Sequence, residues 1–471
     1  MPDDPKKDNP VGRVISVQGP IVDIKFKSVG DLPSIYGVMK VNTIDDKEIF
    51  LEVAEHRADQ VARCIAINST QNLQRNAKAV SMGHPIQVPV GDAMYGRAIN
   101  VLGQPIDQKG PIVANEYRSI RRNDMETTVR SKAITSKKFE VLETGIKMID
   151  LLFPLVKGGK TGVLGGAGLG KSVITLEIIH NIVTRHQGTC VFVGIGERIR
   201  EGNELFWELH NHGILPKTMI TFGQMNEPPG ARYGVAMTGV TLAETLQKEN
   251  HDVLLFVDNV FRFIQAGAEI STLLGRVPSE TGYQPTLISE ASEFHERIRS
   301  GDGLSGSVTC IEAVYVPADD LTDPAVVAIF TFLDSLMVLS RERVQLGLYP
   351  AIDPLQSSCA NLDSEIVGKR HYQISQEVLQ TFYKYEELRK LVLVIGLDEL
   401  SPADRLIYDR ARKLQNFLTQ PFAVAEAYTG KKGHYVPLEE TLQGCEEILA
   451  GRHDKRAEEE FYMIGPLVFY A

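Results

Sequence analysis

Residues 165–172 read Gly-Gly-Ala-Gly-Leu-Gly-Lys-Ser, a stretch that leaves the surrounding chain little freedom. It fits G-x-x-x-x-G-K-[ST], a loop whose successive backbone N–H groups can curl around an anion because glycine has no Cβ in the way. Such a loop works only between a strand and a helix. Residues 161–164 (TGVL) read as a short buried strand, and residues 172–179 (SVITLEII) as the opening turns of a helix whose positive dipole end faces the loop. The pattern predicts phosphate binding by the backbone of Gly166, Ala167, Gly168, Leu169, Gly170 and Val173. Lys171 would reach the terminal phosphates, and the Ser172 hydroxyl would sit on Mg²⁺.

The chain has 471 residues, enough for two to four domains, and its 43% apolar and 23% charged content is that of a globular protein. A net charge of −10 argues against a nucleic-acid partner, which usually requires a basic surplus. Arg118, Arg121 and Arg122 form a local basic stretch, but Asp124 and Glu126 beside them predict a solvated linker. Cys64, Cys190, Cys310, Cys359 and Cys445 lack C-x-x-C spacing, which fits a reducing compartment and neither a disulfide framework nor a zinc site. The charged, proline-containing first ten residues do not read as a signal peptide. The longest apolar stretch, 325–339, is too short to span a bilayer and contains Asp334. The expectation is a soluble intracellular chain that reaches any membrane through partners.

Three regions follow one another. From Val11 to about Gln87, short β-like segments (14–17, 21–24, 50–53) alternate with tight turns, which predicts a small β-barrel or sandwich. Residues 91–360 alternate apolar strands (190–193, 219–222, 253–257, 310–316) with longer segments such as 231–248, the pattern of a mostly parallel α/β sheet. After residue 361, Ile374, Val378, Phe382, Tyr385, Leu388, Val392 and Ile395 recur at helical spacing. A second helix is predicted from Ser401-Pro402, with Leu406, Ile407, Leu414, Phe417 and Leu418 on its buried face. The expected domains are thus 1–90, 91–360 and 361–471.

A phosphate loop needs an acid at a strand end for Mg²⁺, and Asp258 closes the apolar run 253–257, although it could instead cap the next helix. It also needs a group to orient water, and Glu197 follows the strand 190–193 directly. Arg198 and Arg276 are candidate phosphate clamps, because the guanidinium fork suits phosphate oxygens. Spacing leaves Arg276 open between a clamp and a surface charge. Glu201 is open between metal support and a first-turn acid.

Several long motifs occur together in order: 165–172; Gly196-Glu197-Arg198 with Arg200-Glu201-Gly202-Asn203; 223–232 (GQMNEPPGAR); 258–263 (DNVFRF); 316–324 (VPADDLTDP); and 349–354 (YPAIDP). With these the chain resembles the catalytic β subunits of F-type rotary ATP synthases from about residue 11 to 466. The resemblance implies a β-barrel, a RecA-like P-loop domain and a C-terminal all-α domain. It implies ATP/ADP as substrate, Mg²⁺ as cofactor, and an alternating α3β3 ring around a γ stalk. A peripheral stalk and a membrane ion-translocating sector would complete an assembly on the cytoplasmic face of a bacterial inner membrane. By motif, Lys171, Arg198 and Arg276 would contact phosphate, Glu197 would position water, and Ser172, Glu201 and Asp258 would surround the metal. Tyr349, Phe422 and Tyr428 would form the adenine pocket, where the residues alone would equally fit core packing. The arginine finger would come from the neighbouring α subunit.

Departures are visible. Ser172 stands where Thr is commoner, Tyr428 where Phe is usual, and 398–404 (DELSPAD) lacks two of the family's acids. Residues 286–298, 355–358 and 462–465 also differ, and resemble an alternative bacterial class linked to sodium. Three rivals are a non-catalytic subunit of the same ring, a hexameric RNA translocase and a type III secretion ATPase. Glu197 speaks against the first, the acidic balance and aromatic-poor barrel against the second, and the 224–232 and 349–354 segments against the third.

Overall fold

The structure is a computed structural model, and it describes residues 9–121, 140–166, 168–186, 188–298 and 306–467. Arg122, Asp124, Glu126 and Ala167 therefore lie outside the described residues. Two compact units emerge, one within Met1–Thr135, Thr189–Glu312 and Leu321–Phe332, the other within Ser136–Gly188, Ala313–Asp320 and Leu333–Ala471.

The first unit begins with six strands: β1 (Val11–Gln18), β2 (Ile21–Lys25), β3 (Val38–Asn42), β4 (Glu48–Arg57), β5 (Val61–Ala66) and β6 (Lys78–Ser81). They close in the order β1-β2-β5-β4-β3-β6, all pairs antiparallel. Closure leaves no edge to aggregate, and inward-pointing Val14, Val22, Met39, Leu51, Val53 and Cys64 fill the barrel.

In the same unit the strand Thr189–Glu197 pairs in parallel with Thr218–Gln224 on one side and Val253–Asp258 on the other. These strands are buried on both faces, so they read as apolar runs rather than alternations. Phe192 stacks on Phe256 with ring centroids 5.3 Å apart, which locks neighbouring strands together. The helix Pro229–Lys248 is buried on nearly every side, and its threonines bond back to their own helix, as Thr241 Oγ1 does to Met237 O at 2.8 Å.

The second unit pairs Lys160–Leu164 in parallel with Ser335–Val338, to which Ser358–Cys359 adds antiparallel. Its C-terminal part is helical. Lys369–Ile395 buries Ile374, Val378, Phe382, Tyr385 and Leu388, and Pro402–Phe417 starts where Ser401 Oγ accepts from the Asp404 N–H at 3.1 Å. The apolar spacing overreaches at two points. Ile395 and Leu406 are exposed, and Tyr408 and Ala411 complete the buried face instead, Tyr385 and Tyr408 packing with ring centroids 4.9 Å apart.

A second correction concerns the basic stretch. Arg121 is no solvated linker residue: its Nη2 and Nε donate to the Glu52 carboxylate at 2.8 and 3.1 Å, and its guanidinium lies 4.3 Å from the Tyr36 ring centre. Burial alone would lower the Arg121 pKa, but the Glu52 charge and hydrogen bonds outweigh it and hold the pKa above its usual value. Removing one member of a buried pair leaves the other unpaired in low dielectric. Glu52→Gln should therefore cost about 3 kcal/mol in urea unfolding, whereas the exposed Lys384–Glu387 pair should cost under about 1 kcal/mol when broken.

Candidate functional site

In the second unit the strand Lys160–Leu164 runs into the glycine loop, and the helix Lys171–Arg185 leaves it. The strand end is held by Leu339 N–H donating to Leu164 O at 2.8 Å. Gly168 and Gly170 have φ of +79° and +88°, conformations that an L side chain rarely adopts. Nothing lies within 4 Å of a Cβ built at either position, so backbone conformation rather than crowding calls for glycine. No side chain caps the helix N-terminus and its first turn carries no acid, which suits an anion. Leu169 is buried beneath the loop, while Gly168, Ser172 and Val173 are exposed above it. Lys171 folds back so that its Nζ donates to Gly165 O at 2.5 Å, and it lies 5.7 Å from the Tyr315 ring centre.

The P-loop helix does a second job that composition and spacing did not reveal. Glu177 is buried and accepts from the Val424 N–H at 3.1 Å, tying this helix to the loop that follows Phe422. Burial raises its pKa, and backbone donors and Asn181 work against that rise. Its partner lies 247 positions away, so no local pattern could have exposed it.

The three aromatic candidates of this unit differ in setting. Phe422 is buried, Tyr349 is 39% exposed and Tyr428 is 83% exposed on the short helix Glu426–Thr429. Gln420 joins their segments, because its N–H donates to Tyr349 O at 3.0 Å. Its side chain accepts from the Lys147 N–H at 2.9 Å and donates to Gly145 O at 2.7 Å. Lys147 itself is fully buried, and desolvation pushes its ammonium down to about 7. A lysine in the pattern K-M-I-D-L-L offered no signal for this.

In the first unit Glu197 ends the strand Thr189–Glu197 and Asp258 ends Val253–Asp258, whose last residue is in register with Gly194. The cap of the next helix is Asn259, whose Oδ1 accepts from Phe261 N–H at 3.0 Å, so capping does not account for Asp258. Gly196 has φ +64°, and a Cβ there would come within 3.2 Å of the Arg262 side chain. Arg262 thereby passes close to the backbone beside Glu197. Glu197 is pushed up to about 8, first by burial, then by the Asp258 charge and by its hydrogen bond and charge interaction with Glu201, with Arg262 acting in the opposite direction. Glu201 sits in the first turn of Ile199–Asn211 and pairs with Arg198 at 3.2 Å. Arg198 is largely exposed, and Arg276 is exposed just beyond the helix Val260–Leu273.

Among the described residues no group of three or more His, Cys, Asp or Glu side chains is placed to hold a metal ion alone. Like-charged carboxylates raise one another's pKa here, a repulsion that a bound cation would relieve. Among the described residues no helix is long and apolar enough to cross a membrane.

A glycine loop between a parallel strand and an uncapped helix is the local architecture of P-loop nucleotide-binding proteins. Residues 14–83 match the beta-barrel domain of the ATP synthase alpha/beta family, and residues 145–359 match that family's nucleotide-binding domain. These matches take in more than half of the chain, which belongs to the ATP synthase alpha/beta family. Residues 360–456 match the C-terminal domain of V and A type ATP synthases. The chain is accordingly a subunit of a rotary ATP synthase or ATPase, a multi-subunit assembly.

The Glu177 tether makes a local prediction. Glu177→Ala should leave the Val424 N–H buried and unpaired, lowering stability by about 1–3 kcal/mol in denaturant titration. Exchange of that amide in deuterium oxide should accelerate. Unchanged exchange at Val424 would show that the tether holds nothing.

Proposed function

We propose that the chain is the catalytic β subunit of an F-type rotary ATP synthase, interconverting ADP + Pi and ATP + water in an alternating ring with α subunits. A γ stalk would couple the ring to ion flow through a membrane sector, with a peripheral stalk completing the assembly at a bacterial inner membrane. Catalysis in this class is mostly positioning and electrostatic stabilisation of the transferred phosphoryl group. The observation that carries the catalytic reading is Glu197, a carboxyl held at a strand end beside two further acids and pushed up to about 8. In its ionised form this carboxylate can accept a proton from an attacking water in hydrolysis, and its acid form can return the proton in synthesis.

The remaining roles follow from residue chemistry. Lys171, Arg198 and Arg276 would take up negative charge on the phosphates, and the loop amides of residues 166–170 would hold the remaining oxygens. Ser172 would contribute a hydroxyl to Mg²⁺, while Asp258 and Glu201 would hold its waters. When bound, the cation neutralises phosphate charge. Tyr349, Phe422 and Tyr428 would accommodate adenine. Differential nucleotide affinity between conformations would supply the coupling to rotation.

The C-terminal match to V and A type domains supports a second reading, a catalytic subunit of a V- or A-type ring. Co-expression with F-type α and γ subunits separates the two: a stable mixed ring with ATPase activity supports the F-type reading, and failure to assemble contradicts it. In the assembled ring Glu197→Gln should retain nucleotide binding while turnover falls at least ~10²-fold. Normal turnover would remove Glu197 from the mechanism.

A further inference from the structure

Residues 461–465 close the second unit as a strap, and the functional roles above leave them unused. Phe461 anchors the strap in the core, fully buried. Tyr462 then donates its hydroxyl to Gly347 O at 2.8 Å, two residues before Tyr349. Met463, at φ +53°, donates its N–H to Thr419 Oγ1 at 2.8 Å, three residues before Phe422. Thr419 can accept because its own hydroxyl proton goes to Asn416 O at 2.5 Å. Lys147 donates to Ile464 O and Gly465 O at 2.9 and 3.1 Å, and lies 4.3 Å from the Phe417 ring centre. Lys431, beyond Tyr428, lies 5.1 Å from the Tyr462 ring centre.

One strap therefore bonds both segments that the Gln420–Tyr349 hydrogen bond joins, and touches the loop beyond Tyr428 as well. We propose that residues 461–465 position the base-recognition segments, with Tyr462 setting Gly347–Tyr349 and the Met463–Thr419 bond setting Gln420–Phe422. The proposal rests on the reading of Tyr349, Phe422 and Tyr428 as the adenine contacts. Neither Tyr462 nor Thr419 touches nucleotide in this account; both are positioning residues. The φ of Met463 supports a designed hold, since a non-glycine residue keeps a left-handed conformation only where its surroundings enforce it.

Because the strap acts on the base and not on the phosphates, its loss should be felt selectively. Tyr462→Phe removes only the hydroxyl, and Thr419→Val removes the acceptor for Met463 together with the hydroxyl's own bond to Asn416 O, both at nearly constant shape. The test is calorimetric binding of MgATP and of magnesium tripolyphosphate, which lacks the base, to the full chain and to both variants. One neutral hydrogen bond corresponds to about 5-fold in affinity, so Tyr462→Phe should bind MgATP about 5-fold more weakly, Thr419→Val at least as much more weakly, and both should bind tripolyphosphate as the wild type does. Equal weakening of both ligands, or unchanged MgATP affinity in both variants, would overturn the strap proposal. A wild-type chain that binds tripolyphosphate as tightly as MgATP would instead remove the adenine reading on which the proposal rests.

Discussion

The bond from Lys171 Nζ to Gly165 O closes the glycine loop on itself, and the second unit's chemistry is organised around it. A lysine folded across its own loop is an ammonium already placed at the mouth of an uncapped helix. The loop can take this shape because Gly168 and Gly170 adopt positive φ. The strand before it is fixed through Leu164 to Leu339, and the helix after it is fixed through Glu177 to Val424. The element that would grip phosphate is thus also the element that holds the segment proposed to meet the base. Displacing this helix would disturb both ends of a nucleotide together, a property suited to a subunit whose affinity must change between states.

The first unit contributes a different kind of constraint. Burial and like charge around Glu197 are unfavourable in themselves, and a chain selected for stability alone would avoid them. Gly196 lets the backbone turn where Arg262 passes, which supplies compensating charge without neutralising the site. Perturbed acids at strand ends are a mark of functional sites because the perturbation is what tunes proton affinity. The contrast with Arg121 and Glu52 is informative. There, opposite charges in mutual contact produce a structural link in the barrel unit and no poised group.

Much of this was legible in the chain because the informative patterns are local. The octet at 165–172 needs only its own neighbours, and parallel strands such as Val253–Asp258 show as apolar runs because both faces are covered. What escaped was non-local. Arg121 read as linker because its partner Glu52 is 69 positions earlier. Glu177 and Lys147 looked like ordinary helix residues because their partners lie in the C-terminal region. Leu406 kept helical spacing yet is exposed, since spacing reports a face and not what covers it. The long motifs pointed to a β subunit of F type, whereas the C-terminal domain matches V and A types, and local motifs do not report on that difference.

The central claim is that Lys171 and its loop grip a triphosphate. Equilibrium binding of MgATP to the full-length chain and to Lys171→Met tests it most directly. Loss of a charge-assisted phosphate contact should weaken binding by about 10- to 100-fold while circular dichroism and the unfolding midpoint stay close to wild type. Undiminished affinity in the variant would contradict the account.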